Sequence, residues 1–570
     1  MDPRGVRRRT LAAIRLAVPS VFWHDAAMND HSALRPQTAP TDTRALVDDL
    51  HLRARHLKGR TLGALLTDRA RLDALQVDAG PIHLDLSRQR IDASTLEALW
   101  NWAAACDFDE ARKRLAEGGR VNFTEGRAAT HPALRGRFGP QATRASARFE
   151  HQRMATLVER LRSGELRGFD GSPLKALVCL GIGGSDLGPR LITDALAPDG
   201  HYPVRFAANA DPRELDRALQ GLAPQATAIA IISKTFSTRE TLANAAVARA
   251  WLRAAGCPPE ADFRHFIGIT AQPDAARAWG IHHEHLLQFD EGVGGRYSVW
   301  STVGLGAATA CGMPVFNALL EGAAGMDTHF FEQPLAQNLP AWLGLMWVWN
   351  RSFLGHGSLA VVPYAERLAL LPAWLQQLMM ESNGKSARAA GTDTARAALP
   401  TAPVVWGACG PTAQHSFFQQ LHQGPEPVPV EFIVPRVNGG RTVHNDERQR
   451  IVVANALAQA SALALGQADT TSQASGHEAF TGNRPSTLIL LHDVSAPTLG
   501  ALLAAYEHAT FTAATVLGIN PFDQYGVELG KQMARQIEQI LQHLEPEPGR
   551  QIHPETALDA ASWASLRRLV

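Results

Sequence analysis

The sequence predicts an α/β fold with two tandem domains, each a parallel sheet flanked by helices, between a helical N-terminal region and a helical C-terminal tail. Short apolar runs alternate with helix-like stretches from residue 176 to 270, and the alternation starts again from residue 358 to 491. Strands and helices that alternate at this spacing are typical of right-handed βαβ units and a parallel sheet. Hydrophobic residues make up 45% of the 570 residues, enough to bury a sizeable core.

The N-terminal segment, residues 1–30, is expected to form a disordered extension. Three arginines at positions 7–9 precede an apolar stretch at 10–23, which superficially resembles a signal peptide. Arg15 interrupts that stretch and no small-residue cleavage site follows it, so a targeting signal is disfavoured. If the segment results from a misplaced start codon, Met28 is the expected initiator methionine.

Residues 31–150 have a mostly helical pattern. Apolar residues recur at three- and four-residue spacing at 44–55 and 95–117, with charged residues between them. Asp92 or Ser94 could cap the second of these helices, and Gly118 and Gly119 would stop it. The segment is therefore predicted as an N-terminal helical region.

Two α/β domains are predicted next, at residues 151–325 and 326–520. The first should contain helix 238–254, and the second should contain helix 499–518. Residues 521–570 are expected to hold an active-site segment and then a helical tail to about residue 544. Strands are predicted at Ala176–Leu180, Thr227–Ile232, Phe266–Thr270, Ser358–Pro363, Val404–Gly407, 430–434 and 487–491.

Composition excludes several classes of protein. The 55 basic and 55 acidic residues balance, so the surface has no general attraction for nucleic acid or an anionic membrane. No segment reaches the roughly 18 uninterrupted apolar residues of a membrane span. The five cysteines are scattered and form no C-x-x-C pair, which argues against a disulfide framework or a zinc ribbon. A reducing compartment, the cytoplasm, is the natural location.

A glycine-rich loop follows the first predicted strand, with the sequence GIGGSDLG at residues 181–188. Glycines at a strand end let the backbone approach an anion, and the next helix offers free N–H groups. Gly184 and Ser185 would then belong to a phosphate or sugar cradle, although a tight turn without a ligand explains the glycines equally well. Asp186 stands where a dinucleotide fingerprint requires glycine, so no nicotinamide site is expected.

A second polar loop, SKTFST at residues 233–238, follows the next strong strand. Hydroxyl groups, the ammonium of Lys234 and a helix N-terminus would converge there, which suits a phosphate monoester. An ordinary helix cap with a surface lysine is the alternative, but four hydroxyl residues in six positions exceed what capping needs. The sequence therefore favours one shared phosphate site at Ser233, Thr235 and Thr238, next to the first loop.

Two further segments carry a fixed cation and a candidate base. Arg296 follows two glycines and could stabilise an oxyanion, although this motif by itself favours a structural pair with Asp290 or Glu291. Glu381 ends an apolar helix that starts near Pro372. A helix C-terminus and apolar neighbours both favour the protonated carboxyl, as a general base near neutrality requires, whereas a solvated helix-end glutamate is the commoner case.

His415 and Lys531 are the remaining candidates for proton transfer. His415 is expected in the first turn of a helix, where the helix dipole favours the neutral imidazole. Lys531 lies at the end of a glycine-rich segment and could act as an acid or bind a substrate oxygen. Each residue taken alone fits an ordinary surface role. The histidine-rich run 282–285 lacks the H-E-x-x-H spacing, so no metal site is predicted.

Several of these stretches, taken in order, resemble the glucose-6-phosphate isomerase (phosphoglucose isomerase) family. With the loop at Asn122 they span most of the chain up to Lys531. Departures are confined to Thr302, Tyr525 and the segment 1–30, and none affects a catalytic position. The resembling stretches are residues 181–188, 233–238, 294–300, 380–385, 414–417, 482–485 and 522–531.

The resemblance implies two sugar-isomerase-type domains, a homodimer, no metal or organic cofactor, and reversible conversion of glucose 6-phosphate to fructose 6-phosphate. It implies that Glu381 moves a proton between C2 and C1 while Arg296 stabilises a cis-enediolate. Ring opening would use Lys531 and His415 of the partner subunit. The implied substrate and phosphate contacts are Gly184, Ser185, Ser233, Lys234, Thr235, Thr238, Gln377 and Gln524.

Two rival functions remain open from the sequence. One is a different sugar-phosphate isomerase or epimerase, including one that also acts on mannose 6-phosphate. The other is a non-catalytic sugar-phosphate sensor, which would need a basic DNA-reading element that is not seen after residue 30.

Overall fold

A computed structural model describes residues 42–467, 476–543 and 558–569. The extension predicted for residues 1–30 lies outside the described residues. The chain divides into two compact units, Met1–Pro521 and Phe522–Val570. No helix in the described ranges is long and apolar enough to cross a lipid bilayer.

The strands of the described chain all belong to the first unit. They are β1 (Gln76–Ala79), β2 (Ile82–Asp85), β3 (Ala176–Leu180), β4 (Val204–Ala207), β5 (Thr227–Ile232), β6 (Phe266–Thr270), β7 (Leu286–Gln288), β8 (Ser358–Pro363), β9 (Val404–Gly407), β10 (Val430–Pro435) and β11 (Ser486–Leu491). All seven predicted strands are present, with ends that agree to within one residue.

Most of the remaining described chain is helical. The helices of the first unit are α1 (Thr43–Lys58), α2 (Leu62–Leu65), α3 (Arg69–Ala74), α4 (Ala93–Ala105), α5 (Phe108–Glu117), α6 (Gln141–Arg162), α7 (Leu187–Leu196), α8 (Pro212–Leu219), α9 (Arg239–Ala254), α10 (Pro273–Trp279), α11 (Leu305–Cys311), α12 (Met313–Glu332), α13 (Leu339–Val348), α14 (Leu371–Leu375), α15 (Thr394–Ala397), α16 (Gly410–Ala413), α17 (Phe418–Gln423), α18 (Glu447–Leu465) and α19 (Ala496–Leu517). The second unit contains α20 (Glu528–His543) and α21 (Ala560–Leu569).

The first sheet is wholly parallel and has the strand order β4-β3-β5-β6-β7. Every residue of β3 and β5 is buried, as expected for strands covered by helices on both faces. The chain moves outward from β3 to β4 and then returns to the other side of β3 with β5. In sheets of this kind a ligand crevice lies at the carboxyl ends of the two strands where the order reverses. For this sheet those strands are β3 and β5.

The second sheet has the order β1-β2-β11-β10-β8-β9. Strands β8 to β11 are parallel, whereas β2 pairs antiparallel with both β1 and β11. The mostly helical pattern predicted for residues 31–150 did not include this hairpin. Two strands of four residues joined at Gly80, which has a positive φ of 54°, are too short to give a clear alternating signal.

The helix predicted at 95–117 is two helices, α4 and α5. The chain breaks between them at Asp107, whose φ of 55° lies in the left-handed region. The predicted ends are correct. A side-chain oxygen of Asp92 accepts from the backbone N–H of Thr95 at 2.9 Å, and Gly118 ends α5 with a φ of 77°.

Helix α19 is buried along almost its whole length and packs against α12 and α13. A buried charge cluster joins these elements to the chain near residue 300. Arg135 pairs with Asp327 at 2.7 Å and with Glu507 at 2.6 Å, and the indole N–H of Trp300 donates to Glu507. Since a buried charge is stable only when it is paired, this cluster fixes how the elements meet.

Candidate active site

The two polar loops predicted as a phosphate site lie side by side at the carboxyl ends of β3 and β5. At Gly181 a Cβ atom would lie 2.8 Å from the Ser185 side chain and 3.2 Å from the Ile232 carbonyl oxygen. Only glycine allows this close approach between the 181–188 loop and the end of β5. The crevice that the strand order predicts therefore coincides with the two loops chosen from the sequence.

The hydroxyl groups of the 233–238 loop face one another. Ser233 Oγ lies 2.9 Å from Thr238 Oγ1, and Ser237 Oγ donates to Thr235 Oγ1 at 2.8 Å. Thr238 stands at the N-cap of α9 but makes no side-chain cap hydrogen bond there. The hydroxyls are thus not consumed by capping, and they gather beside the N-terminus of a helix of four turns.

Lys234, in the same loop, bonds to two backbone carbonyl groups. Its Nζ donates to the Glu291 carbonyl oxygen at 2.7 Å and to the Val293 carbonyl oxygen at 3.0 Å. The pKa of this ammonium group is lowered to about 8, chiefly by burial, and the nearby charge of Arg127 acts in the same direction. The two accepting carbonyl groups belong to the chain just ahead of Arg296, and the predicted contact between this ammonium and a phosphate stays a prediction.

Glu381 and Arg296 form the centre of the site. Arg296 Nη1 donates to Glu381 Oε1 at 2.8 Å, and the Arg296 side chain is almost completely buried. The Glu381 side chain keeps 28% of its surface exposed, so the carboxylate is open to an approaching substrate. The alternative partners considered for Arg296 are used elsewhere, because Asp290 accepts from Thr130 and Glu291 accepts from Gln272.

The helix that carries Glu381 does not end as a regular α-helix. After α14 the chain widens into a π-helical turn, Gln376–Glu381, a distortion that is frequent at functional sites. Gln377 Nε2 donates to Glu381 Oε2 at 3.2 Å. Gln377 Oε1 is buried and has no hydrogen-bond partner among the described residues, as expected for a group that binds a ligand.

The 181–188 loop touches both of these segments. A Cβ atom at Gly183 would lie 2.9 Å from Gln377 Nε2, and one at Gly184 would lie 2.0 Å from the Gly295 carbonyl oxygen. The second distance is too short for any side chain. The predicted residues Gly184, Gln377, Glu381 and Arg296 are therefore in one place, next to the hydroxyl-lined loop.

The remaining predicted residues are His415, in the first unit, and Gln524 and Lys531, in the second. His415 lies in the turn between α16 and α17 and is exposed, so its expected position in the first turn of a helix is wrong. The reason is that α16 ends after a single turn. In the second unit, Gln524 is exposed ahead of a short 3₁₀ turn. Lys531 lies in the first turn of α20 and pairs with Glu528 at 2.9 Å.

Sequence reasoning gave no role to Ser382 and Tyr297. Ser382 Oγ accepts from Arg296 Nε at 2.6 Å and lies 3.0 Å from the Tyr297 hydroxyl. Burial raises the pKa of Tyr297 to about 12, which keeps its hydroxyl protonated. Tyr297 directly follows Arg296 in the sequence, and Ser382 directly follows Glu381. This adjacency to two candidate catalytic residues was the signal in the sequence that could have indicated their role.

Asn122, noted only as part of a polar loop, also has a defined place. Asn520 Nδ2 donates to Asn122 Oδ1 at 2.8 Å and to Thr124 Oγ1 at 2.7 Å, while Lys385 Nζ donates to the Asn520 carbonyl oxygen. The next residue, Pro521, gives its carbonyl oxygen to Arg296. The Asn122 loop thus supports the chain that holds the arginine.

Comparison with known proteins agrees with this geometry. The family model for phosphoglucose isomerase matches residues 85–551. The glucose-6-phosphate isomerase of Burkholderia ambifaria is 41% identical over 529 residues, which are 90% of this chain and 96% of the relative. That of Stenotrophomonas maltophilia is 44% identical over 507 residues, 87% of this chain and 95% of the relative. A crystal structure of a glucose-6-phosphate isomerase from Chlamydia trachomatis has a TM-score of 0.79 and 29% identity, and the match covers 92% of this chain and 98% of that one. The chain belongs to the phosphoglucose isomerase family.

Proposed function

We propose that Glu381, Arg296 and the two polar loops carry out the reversible interconversion of glucose 6-phosphate and fructose 6-phosphate, a step of glycolysis and gluconeogenesis. The observation that carries this proposal is the pair of a half-open carboxylate and a buried guanidinium, 2.8 Å apart, beside a hydroxyl-lined loop. An aldose–ketose isomerisation needs a base, a fixed cation and an anchored phosphate.

The phosphate would be held at the carboxyl ends of β3 and β5. Hydroxyl groups of Ser185, Ser233, Thr235 and Thr238 would contact it, and α9, which starts directly after Thr238, would direct the positive end of its dipole toward it. Because hydroxyls can both donate and accept, they adapt to a phosphate monoester in either charge state. Anchoring this end places the reacting carbons at a fixed distance from the base.

Glu381 would carry the proton between the two carbons. In the open-chain aldose the carboxylate takes the proton from C2, and the electron pair of that bond forms the C1–C2 double bond while the carbonyl oxygen becomes an enediolate oxyanion. Arg296, which stays charged at any working pH, would stabilise that oxyanion. Return of the proton to C1 and transfer of a hydroxyl proton between the oxygens give the ketose. Gln377 offers its unpartnered Oε1 to a substrate hydroxyl.

Ring opening would use Lys531 and His415 of the partner subunit, with Gln524 as a substrate contact, and we propose a homodimer. An exposed His415 within one chain is compatible with a residue that serves a neighbouring subunit.

We place the protein in the cytoplasm, since its five cysteines are free and buried. The two sugar-isomerase-type domains would be residues 151–325 and 326–520.

The activity is tested with a coupled assay on fructose 6-phosphate, with mannose 6-phosphate as the competing substrate. Glu381→Gln should lower kcat by roughly 100-fold or more, the usual loss when a general base is removed. Glu110→Gln, which changes an exposed glutamate on α5, is the matched control and should keep full activity. Near-normal turnover in the Glu381 variant would contradict the assignment.

The dimer proposal has a separate test, the mixing of two inactive variants. Glu381→Gln and His415→Ala are each expected to be inactive alone. In a mixed dimer, one site would combine an intact Glu381 with an intact His415 of the partner subunit, so activity should return when the two variants are refolded together. Absence of any recovery in dimers shown to be mixed would place His415 in its own subunit's site or outside the reaction.

A further inference from the structure

We propose that Lys234 is a positioning residue, whose ammonium group joins the end of β5 to the 289–295 loop and so holds Arg296 in place. This inference rests on the proposed function, because it takes Arg296 as the group that stabilises the enediolate. It changes the part that Lys234 plays in that function from ligand of the phosphate to support of the cation.

The 289–295 loop runs from the end of β7 to the first residue of a 3₁₀ turn, Gly295–Tyr297, and several of its backbone carbonyl groups take partners from outside the loop. Three successive carbonyl groups have them. Those of Glu291 and Val293 both accept from the ammonium of Lys234, and that of Gly292 accepts from the backbone N–H of Thr130 at 3.2 Å. One side chain thus satisfies two of the three, and Arg296 follows Val293 by only three positions.

The same stretch of backbone is held from its other side by the 181–188 loop. Gly184 packs against the Gly295 carbonyl oxygen so closely that a Cβ atom there would lie 2.0 Å from it. The backbone next to Arg296 is consequently held by the loops that follow two adjacent strands. Gly184, after β3, contacts Gly295, and Lys234, after β5, bonds to the carbonyl groups of Glu291 and Val293. The loops that would bind the phosphate therefore also fix the cation at the reacting end of the substrate.

Moving the ammonium of Lys234 to a phosphate would leave two carbonyl groups without their donor. The contact to Val293 is partly buried, so the loss of its donor opposes such a movement, whereas the exposed Glu291 carbonyl can turn to water. The charges around the ammonium are mixed: Glu125, Asp290 and Glu291 favour its protonated form, and Arg127 opposes it. A phosphate does not have to supply the balancing charge.

The proposal predicts that variants of Lys234 change kcat, whereas a variant of the phosphate-binding hydroxyls changes inhibition by inorganic phosphate. Lys234→Met should lower kcat on fructose 6-phosphate by about 10–100-fold, the scale of a displacement of a catalytic group by up to about 1 Å. Its inhibition constant for inorganic phosphate, a probe of the cradle alone, should stay within a factor of about two of the native value, since no phosphate ligand is lost. Thr238→Val, which removes a proposed phosphate ligand, should weaken inhibition by inorganic phosphate. Lys234→Arg, which keeps two donors on one side chain, should recover part of the lost kcat.

A Lys234→Met variant with normal kcat, or with inhibition by phosphate weakened as much as in Thr238→Val, would overturn the inference. If the native protein does not turn over fructose 6-phosphate, the proposed function fails instead, so the two failures are distinct. Should the Met variant not fold, a crystal structure of the native protein with inorganic phosphate decides. We expect Lys234 Nζ to stay within hydrogen-bond distance of both carbonyl oxygens, and a direct contact with a phosphate oxygen in their place would overturn the inference.

Discussion

Glu431 lies at the centre of the second sheet and should make the protein less stable as the pH rises. It is buried on β10, and its carboxyl accepts from the indole N–H of Trp347 at 2.6 Å and from the Tyr506 hydroxyl at 2.9 Å. Burial raises the pKa of this carboxyl from 4.5 to about 7, and the two hydrogen bonds offset only part of that effect. The folded protein therefore holds a proton at this site at pH values where the unfolded chain has released it.

The free energy of unfolding should fall as the pH rises from the unfolded pKa, 4.5, to the folded pKa, about 7, and then level off. Since each unit of pKa difference corresponds to about 1.4 kcal/mol, the full effect at this one group is roughly 3 kcal/mol. Glu507, whose pKa burial also raises to about 7, contributes in the same direction. The effect of Glu431 must therefore be measured as a difference from a variant that lacks it.

Glu431→Gln removes the titrating group, while its amide oxygen can accept from the Trp347 indole and its amide NH2 can donate to the Tyr506 hydroxyl oxygen. Unfolding by urea, followed by tryptophan fluorescence, should show that the native protein loses about 3 kcal/mol relative to this variant between pH 5 and pH 8. The exposed substitution Glu110→Gln serves as control, and its curve should follow that of the native protein. Parallel curves for the native protein and the Glu431 variant would refute the reasoning.

Three further substitutions test two contacts at the site and one ion pair in the buried charge cluster. Ser382→Ala removes the acceptor of Arg296 Nε, and kcat should fall about 10-fold as the guanidinium loses its fixed orientation, whereas an unchanged kcat would show that the ion pair with Glu381 suffices. Gly184→Ala places a Cβ atom against the Gly295 carbonyl oxygen, so kcat/KM should fall about 100-fold, and normal kinetics would contradict the close approach. Asp327→Asn leaves the charge of Arg135 partly unpaired in the core and should cost about 3–5 kcal/mol of stability by urea unfolding, with a loss under about 1 kcal/mol as the contradicting result.

The strands that the sequence predicted share a property that local pattern can detect. Runs such as Thr227–Ile232 are apolar throughout because helices cover both faces of a parallel sheet. Strands β4 and β7 were not predicted, since they are very short and β4 is only partly buried. The hairpin of β1 and β2 owes its structure to pairing with β11, which lies near the opposite end of the first unit in sequence and which no local pattern contains.

In the candidate site, too, some features follow from local sequence pattern and others depend on contacts between segments that are distant in sequence. The positions of the two polar loops follow from local rules, because residues after adjacent parallel strands meet at one sheet edge. The pairing of Arg296 with Glu381, and not with Asp290 or Glu291, depends on how α14 and its π-helical turn pack against the first sheet's loops. The direction of the Lys234 ammonium likewise depends on the 289–295 loop, which follows β7 and is two strands further along the chain.

The central claim is that Glu381 carries the proton between C2 and C1, and hydrogen exchange tests it most directly. Fructose 6-phosphate incubated in D₂O with the native protein should gain deuterium at C1, followed by NMR, because a carboxylate that holds the proton can exchange it with solvent before returning it. Glu381→Gln should abolish this exchange while inhibition by inorganic phosphate stays intact. Continued exchange at C1 by the Glu381→Gln variant, at a rate near that of the native protein, would contradict the account.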